Sequence, residues 1–302
     1  MAKLLLSFDF EDWHQLVHRR LGRADWDRRG PALERQTAAI LALLDNLDAR
    51  ATFFLLGLTA ERYPDLVQEV AGRGHDLACH GYEHRRVFDQ TEGEFRRDVE
   101  RSVEVIERLT GRRPTGYRAP AFSINRDTIW AYEVLCDLGF RYDSSQYDTP
   151  RIPNRIRPVP AGPYRLVLPS GREIWELPLT VWPVRGRALP VGGGAYWRVL
   201  PARVLRRALQ SAGDPYAVLY FHPYELDPEP LRAELPEAPG AKQRLAAAAK
   251  GLQRNPGRRW VAERIRAMAQ EFPPVSYEEA YGEIVERNRA RPRSLSREGV
   301  LV

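Results

Sequence analysis

Residues 74–85 read GHDLACHGYEHR, and the architecture of the chain can be worked outward from them. Gly72 and Gly74 stop a helix expected over Tyr63 to Arg73, because glycine takes the left-handed conformation at helix ends most readily. His75 to Cys79 is short and largely apolar, as a buried strand should be, and it delivers His80 at its C-terminal end. His84 follows four residues later, and positions i and i+4 share a face on a helix or tight turn. The whole chain holds only six histidines, so two in one such run is a concentrated signal. Neutral imidazoles on one face suit zinc or a similar divalent ion, provided an acid elsewhere supplies a third ligand.

The first strand offers that acid. Lys3 to Phe10 is an apolar run, and KLLLSFDFED ends in carboxylates at Asp9, Glu11 and Asp12. Its length and continuous apolar character predict a strand buried on both faces. Residues 14–31, rich in Arg and Asp, read as a surface insertion. Ala32 to Leu47 is an amphipathic helix, and Ala51 to Leu56 (ATFFLL) is the next strand. Downstream the alternation continues. Thr91 to Leu109 is a helix with Phe95, Val99, Val103 and Ile106 at helical spacing, and Thr115 to Arg118 is a short strand followed by RAPAFS. Ile129 to Leu138 is a helix, and Phe140 to Asp143 starts a strand. Residues 149–194 are rich in Pro and Gly and carry strand-like pieces, YRLVL and IWELPL. Pro201 to Ala212 is a helix, and Ala217 to Phe221 is a strand ending in His222. Lys242 to Leu252 and Trp260 to Phe272 read as helices, and residues 287–302 as a basic, disordered tail.

Strand followed by helix, repeated along the chain, predicts a parallel sheet, open or closed into a barrel. The polar residues favour the barrel. Asp9 to Asp12, His80, Arg118, Asp143 and His222 all fall at expected strand ends, the rim where α/β barrels place their chemistry.

Composition narrows the function. The chain has 302 residues with 43% apolar and 28% charged content, enough for a substantial core. No run approaches the roughly 20 apolar residues of a membrane span, so no integral membrane segment is expected. MAKLLLSFDF lacks the roughly 7–15 apolar residues of a secretory core. Cys79 and Cys136 are too few for a disulfide framework. A cytoplasmic location is the expectation. The net charge of +6 comes without an aromatic-interleaved basic stripe, so no nucleic acid partner is expected. No glycine-rich dinucleotide fingerprint follows the first strand. Oligomeric state is not legible.

Taken in order, SFDFED, HGYEH, RAPAFS, YDSS and YFHPYELD resemble the motifs of the polysaccharide deacetylases, carbohydrate esterase family 4 with its NodB homology domain. VGGGAYWRVLP at Val191 to Pro201 resembles a signature of the branch found in exosortase-associated exopolysaccharide gene clusters. The resemblance implies a distorted (β/α) barrel of the NodB type over residues 1–227, a helical C-terminal extension over 228–286 packed on it, and the tail over 287–302. It implies a metal-dependent amidohydrolase acting on an N-acetylated carbohydrate. His80 and His84 would hold the ion with Glu11 or Asp12; one would bind it and the other would hold a ligand histidine or cap a turn. Zinc is the expected ion, with cobalt or nickel compatible. Asp9 would be the general base, Arg118 its partner and His222 the general acid. Asp143 could orient His222, although this departs from the family's pattern. The alternative is a carbon–nitrogen hydrolase acting on a small non-sugar amide or ureide. Trp175, Trp182, Tyr196, Trp197 and Tyr224 are candidates for sugar stacking, with core packing as the competing role.

Overall fold

The computed structural model describes residues 2–148, 153–184, 186–211, 213–288, 292–296 and 298–302. Its strands are β1 (Lys3–Phe10), β2 (Thr52–Leu55), β3 (Asp76–Cys79), β4 (Gly116–Tyr117), β5 (Tyr142–Asp143), β6 (Tyr164–Val167), β7 (Glu173–Glu176), β8 (Trp182–Val184), β9 (Arg187–Leu189), β10 (Tyr216–Phe221), β11 (Pro274–Val275) and β12 (Pro292–Ser294). The helices are α1 (Trp13–Arg20), α2 (Leu33–Asn46), α3 (Gly57–Arg62), α4 (Pro64–Gly72), α5 (Glu92–Thr110), α6 (Trp130–Asp137), α7 (Gly194–Val199), α8 (Ala202–Gln210), α9 (Ala241–Arg254), α10 (Val261–Ala269) and α11 (Tyr277–Asn288). None of these helices is long and apolar enough to cross a membrane.

The main sheet runs β10-β1-β2-β3-β4-β5-β7-β6-β12, parallel except at β6–β7, and β11 adds a second parallel pairing to β1. It curls until the segment after β7 meets β10. Thr180 N donates to Val218 O at 3.1 Å, and Val218 N donates to Thr180 Oγ1 at 2.7 Å. Tyr220 N donates to Gly192 O at 2.8 Å, closing a distorted barrel.

Side-chain alternation sorts every strand into two layers. On β1, Leu4, Leu6, Phe8 and Phe10 face the outer helices, while Leu5 joins Phe54, Ala78, Tyr142, Trp175, Val218 and Tyr277 in the barrel interior. Both faces are therefore buried, which is why KLLLSF carries no polar alternation. The parity of Leu5 continues through Ser7 and Asp9 to Glu11 at the rim. On β10 the interior parity is Val218, Tyr220 and His222. On β3 it is Ala78 and His80.

Two expectations change. Residues 14–31 are not simply a surface insertion, because α1 buries Trp13 and Val17 in a cluster with Leu21. The i, i+4, i+8 spacing of those three residues was the legible signal beneath the polar composition. The helical extension packs on the barrel through Val261, Ile265 and Met268 of α10, but it also reaches the interior, and the described residues of 287–302 do not form a disordered tail. Tyr277 of α11 is wholly buried in the barrel interior, β12 pairs with β6, and Leu295 and Leu301 lie in the core. The apolar residues of the sequence SLSREGVLV explain the docking. Within residues 287–302, positions 289–291 and 297 lie outside the described residues.

The end of the barrel opposite His80 carries a stability switch. Asp76, at the start of β3, accepts from Thr52 Oγ1 at 2.8 Å and Tyr142 Oη at 3.2 Å. Burial, with Glu278 adding, pushes its pKa up to about 6. The folded pKa lies above the unfolded value of about 3.9, so wild-type stability falls as pH rises through about 4 to 6. Asp76→Asn, which stays neutral, is expected to raise the melting temperature at about pH 8 and to lose that advantage near pH 4. Thermal denaturation at the two pH values checks this.

Candidate metal and active site

The site is built at the C-terminal ends of β1, β3, β4 and β10. Asp9 is buried at the end of β1, and its Oδ1 accepts from Arg118 Nη1 at 2.6 Å. Arg118 follows β4, whose Tyr117 faces outward, so the guanidinium enters the barrel. There it finds a partner for each of its five N–H groups: Nη1 also donates to Ser7 Oγ (3.0 Å), Nη2 to Tyr277 Oη (2.7 Å) and Ser144 Oγ (3.0 Å), and Nε to Ser144 O (3.1 Å). The guanidinium carbon lies 3.9 Å from the centre of the Phe54 ring. A set of bonds this buried fixes the direction of both side chains.

His80 and His84 sit in a turn and not on a helix. Gly81 has φ +76°, and a Cβ there would lie 2.8 Å from Asp98 Oδ2. Asp98, on α5, accepts from Tyr82 N at 2.8 Å, while Ser102 of the same helix donates to Gly81 O at 2.9 Å. This anchorage swings the chain so that His84, at φ +57°, returns its ring to within 5.5 Å of the His80 ring, centre to centre. His80 Nδ1 lies 2.8 Å from Arg118 O, so the ring donates there and leaves the Nε2 lone pair facing the cleft. Burial lowers the His80 pKa to about 4, with His84 adding and Asp9 opposing, so the ring is neutral near pH 7.

Glu11 completes the group. One ligand atom from each of Glu11, His80 and His84 lies within 4.8 Å of the others. Glu11 Oε2 is 3.2 Å from His84 Nε2, and Oε1 is 3.4 Å from His222 Nε2. Oε2 is buried without a hydrogen bond, a costly state for an acid oxygen that a cation would relieve. Burial raises the Glu11 pKa, but His84, His222 and His80 outweigh it and hold the carboxyl at about 2. Two imidazoles and an ionised carboxylate, with ligand atoms within 4.8 Å of one another, fit a divalent cation.

Asp12 turns the other way. It caps α1 by accepting from His14 N at 2.8 Å, and it also accepts from Gly30 N and Tyr63 Oη. Of the two acids left open by the sequence, Glu11 is therefore the one brought to the imidazoles. Asp143 is a correction. On β5, Tyr142 faces the interior, so Asp143 faces outward, beside Glu176 and bonded by Ser145. It does not reach His222.

The partner of His222 is Glu225, whose Oε2 lies 3.2 Å from His222 Nδ1 and accepts from His222 N at 3.1 Å. Arg198 stands 3.1 Å from the other Glu225 oxygen. Burial lowers the His222 pKa, but Glu225 and Glu11 reverse this and leave it raised, favouring the protonated ring. The His-Pro-aromatic-Glu spacing held this signal. Tyr277, which buttresses Arg118, had none, being 159 positions away.

These groups open into a cleft of about 350 Å³. Trp13, Leu16 and Val17 of α1, Lys250, Gln253 and Arg254 of α9, and Tyr220 and Tyr224 line it, with the Arg254 guanidinium carbon 5.8 Å from the centre of the Tyr224 ring. Tyr224 stacks on His222 with ring centres 5.2 Å apart. Trp197 and Trp175 are core residues, and neither Trp182 nor Tyr196 lines the cleft.

A parallel barrel carrying a Glu–His–His cluster and a buried Asp–Arg pair at its C-terminal rim defines a candidate metal-site barrel. Known proteins place it further. Residues 26–142 match the family model "Polysaccharide deacetylase", and residues 144–280 match "Domain of unknown function (DUF3473)". A peptidoglycan-N-acetylglucosamine deacetylase of Bacillus cereus is 37% identical over 105 residues, 34% of this chain and 38% of that protein. Among solved structures, a putative polysaccharide deacetylase from Mycobacterium smegmatis superposes with a TM-score of 0.62 at 22% identity, over 98% of this chain and 94% of that one. Puue Allantoinase shares the fold at a TM-score of 0.54 and 15% identity, over 94% and 91% of the two chains. Over residues 26–142 the chain belongs to the polysaccharide deacetylase family.

Proposed function

We propose that this chain is a divalent-metal amidohydrolase that removes N-acetyl groups from a polysaccharide or glycan-linked sugar. The observation that carries the reading is the convergence of Glu11, His80 and His84 to within 4.8 Å, in the cleft that Asp9 and His222 also line. An ion held by Glu11, His80 and His84, with zinc the expected one, would supply Lewis acidity that eases proton loss from water and polarises an acyl carbonyl.

The remaining steps belong to the protein. Asp9, oriented by Arg118, accepts a proton from the attacking water. His222, oriented through Nδ1 by Glu225, presents Nε2 to the cleft and gives a proton to the departing sugar amine. The water oxygen bonds to the acyl carbon, the C–N bond breaks, and acetate and a free amine leave. Trp13, Tyr220 and Tyr224 line the cleft, where aromatic rings can meet the apolar face of a sugar.

The test is acetate release from N-acetylglucosamine oligomers by the metal-loaded chain, with and without chelator. Chelator-sensitive release supports the reading. Full activity in the metal-free protein overturns the metal role, and turnover confined to small ureides favours the non-sugar hydrolase instead.

The two neighbouring acids separate cleanly by experiment. Asp12→Ala is expected to cost about 2–4 kcal/mol of stability, because it strands the donors of His14, Gly30 and Tyr63. It should leave zinc stoichiometry intact. Glu11→Ala is expected to weaken zinc binding by more than about 100-fold. Urea denaturation and competition with a chromogenic chelator read the two effects.

A further inference from the structure

The cleft carries cations that the chemistry above does not use. Arg20 ends α1, and Lys250 and Arg254 sit four residues apart on α9, all three lining the same cleft as Asp9, Glu11 and His222. Among the described residues, no ion pair or side-chain hydrogen bond joins any of the three to an acid. Pairing is the rule on the adjoining surface: Arg19 lies 3.7 Å from Glu83, Arg85 3.4 Å from Glu94, and Arg86 2.6 Å from Asp89. The helix that carries two of these cations is also anchored at its end. Arg198, itself buried against Glu225, donates to Gln253 O at 3.1 Å and Arg254 O at 2.8 Å, fixing the end of α9 over the site. Lys250 and Arg254 are half-buried.

We infer that the substrate is an N-acetylated sugar carrying an anionic oxyanion group, a phosphoryl or a carboxylate, seated against Arg20, Lys250 and Arg254. This rests on the deacetylase reading and specifies its substrate class. Three convergent cations with no protein counter-charge raise the local potential of a cleft, which concentrates and orients an anion. Guanidinium groups match the oxyanion geometry of phosphate and carboxylate alike. Burial, with Arg20 and Arg254 adding, lowers the Lys250 pKa, as mutual repulsion without a counter-ion should. The three cations lie outside the Glu–His–His cluster, so the anionic group sits beside the acetylated sugar and not at the acetyl itself.

The experiment measures kcat/KM for acetate release by the zinc-loaded full chain on a neutral N-acetylglucosamine tetramer, on N-acetylglucosamine linked to a diphosphate, and on an oligosaccharide alternating N-acetylglucosamine with a uronate. Each is run at low and high salt. One anionic substrate is expected to exceed the neutral one by about tenfold or more, with a preference that falls as salt rises. The better of the two identifies the oxyanion. The readout for variants is the anionic-to-neutral ratio, which cancels any loss of folded protein. Lys250→Gln/Arg254→Gln is expected to cut that ratio by about tenfold or more, whereas Arg207→Gln, exposed on α8 and outside the cleft, should not. A neutral tetramer turned over as well as both anionic substrates, without salt dependence, overturns the inference and leaves the deacetylase reading standing. No acetate from any substrate overturns that reading and the substrate class with it.

Discussion

Asp9→Asn is expected to slow acetate release about a thousandfold, with KM little changed. The amide keeps the size of the side chain and can still accept from Arg118, which now donates to Asp9 Oδ1 at 2.6 Å. What it loses is the capacity to take a proton. A positioned general base contributes roughly 10²–10⁴-fold, so the loss should appear in kcat. The residue lies 4.0 Å from His80 Nε2, close enough to serve the cleft but outside the Glu–His–His cluster. Zinc content should therefore stay at the wild-type value. Steady-state kinetics with metal analysis on the same preparation make the comparison, and unchanged kcat would remove Asp9 from the base role.

Arg118→Met should produce the largest loss of stability in the molecule, about 3–5 kcal/mol. Methionine fills a comparable volume, so the cost is electrostatic. It leaves the Asp9 carboxylate, only 3% exposed, without its counter-charge, and it strips hydrogen-bond donors from Ser7, Ser144 and Tyr277. A loss of that size is a large share of the roughly 5–15 kcal/mol that holds a folded protein together. Urea denaturation should show a much lower midpoint. The double variant Asp9→Leu/Arg118→Met removes both charges and should recover part of the loss, because a buried pair costs most when only one member is deleted. An Arg118→Met midpoint equal to wild type would contradict the ion-pair account.

The sequence was legible where strand ends carry the chemistry. An apolar run ending in acids, a short strand ending in His80 and another ending in His222 place three site segments on one barrel rim without any coordinates. Asp143 shows where this fails. Being at a strand end does not say which layer a side chain enters, and the interior parity of β5 belongs to Tyr142 and Ser144. The same ambiguity left Glu11 and Asp12 unresolved. Only the turn after β1, with Asp12 capping α1, decides between them. Contacts distant in sequence were out of reach. Tyr277 meets Arg118 across the barrel, and Asp98 fixes the His80–His84 turn from the middle of an amphipathic helix. In both cases a polar residue serves a partner far away in the chain, and local pattern carries no trace of it. The C-terminal strand was hidden for another reason, since basic residues dominate the composition around the few apolar ones that dock.

The most direct measurement is anomalous X-ray diffraction at the zinc edge from crystals of the chain grown with zinc. The account predicts one strong peak bonded by a carboxylate oxygen of Glu11 and by Nε2 of both His80 and His84 at about 2.0–2.2 Å, with Asp12 still capping α1. A peak ligated by Asp12 in place of Glu11, or no ion between the two imidazoles, would contradict it.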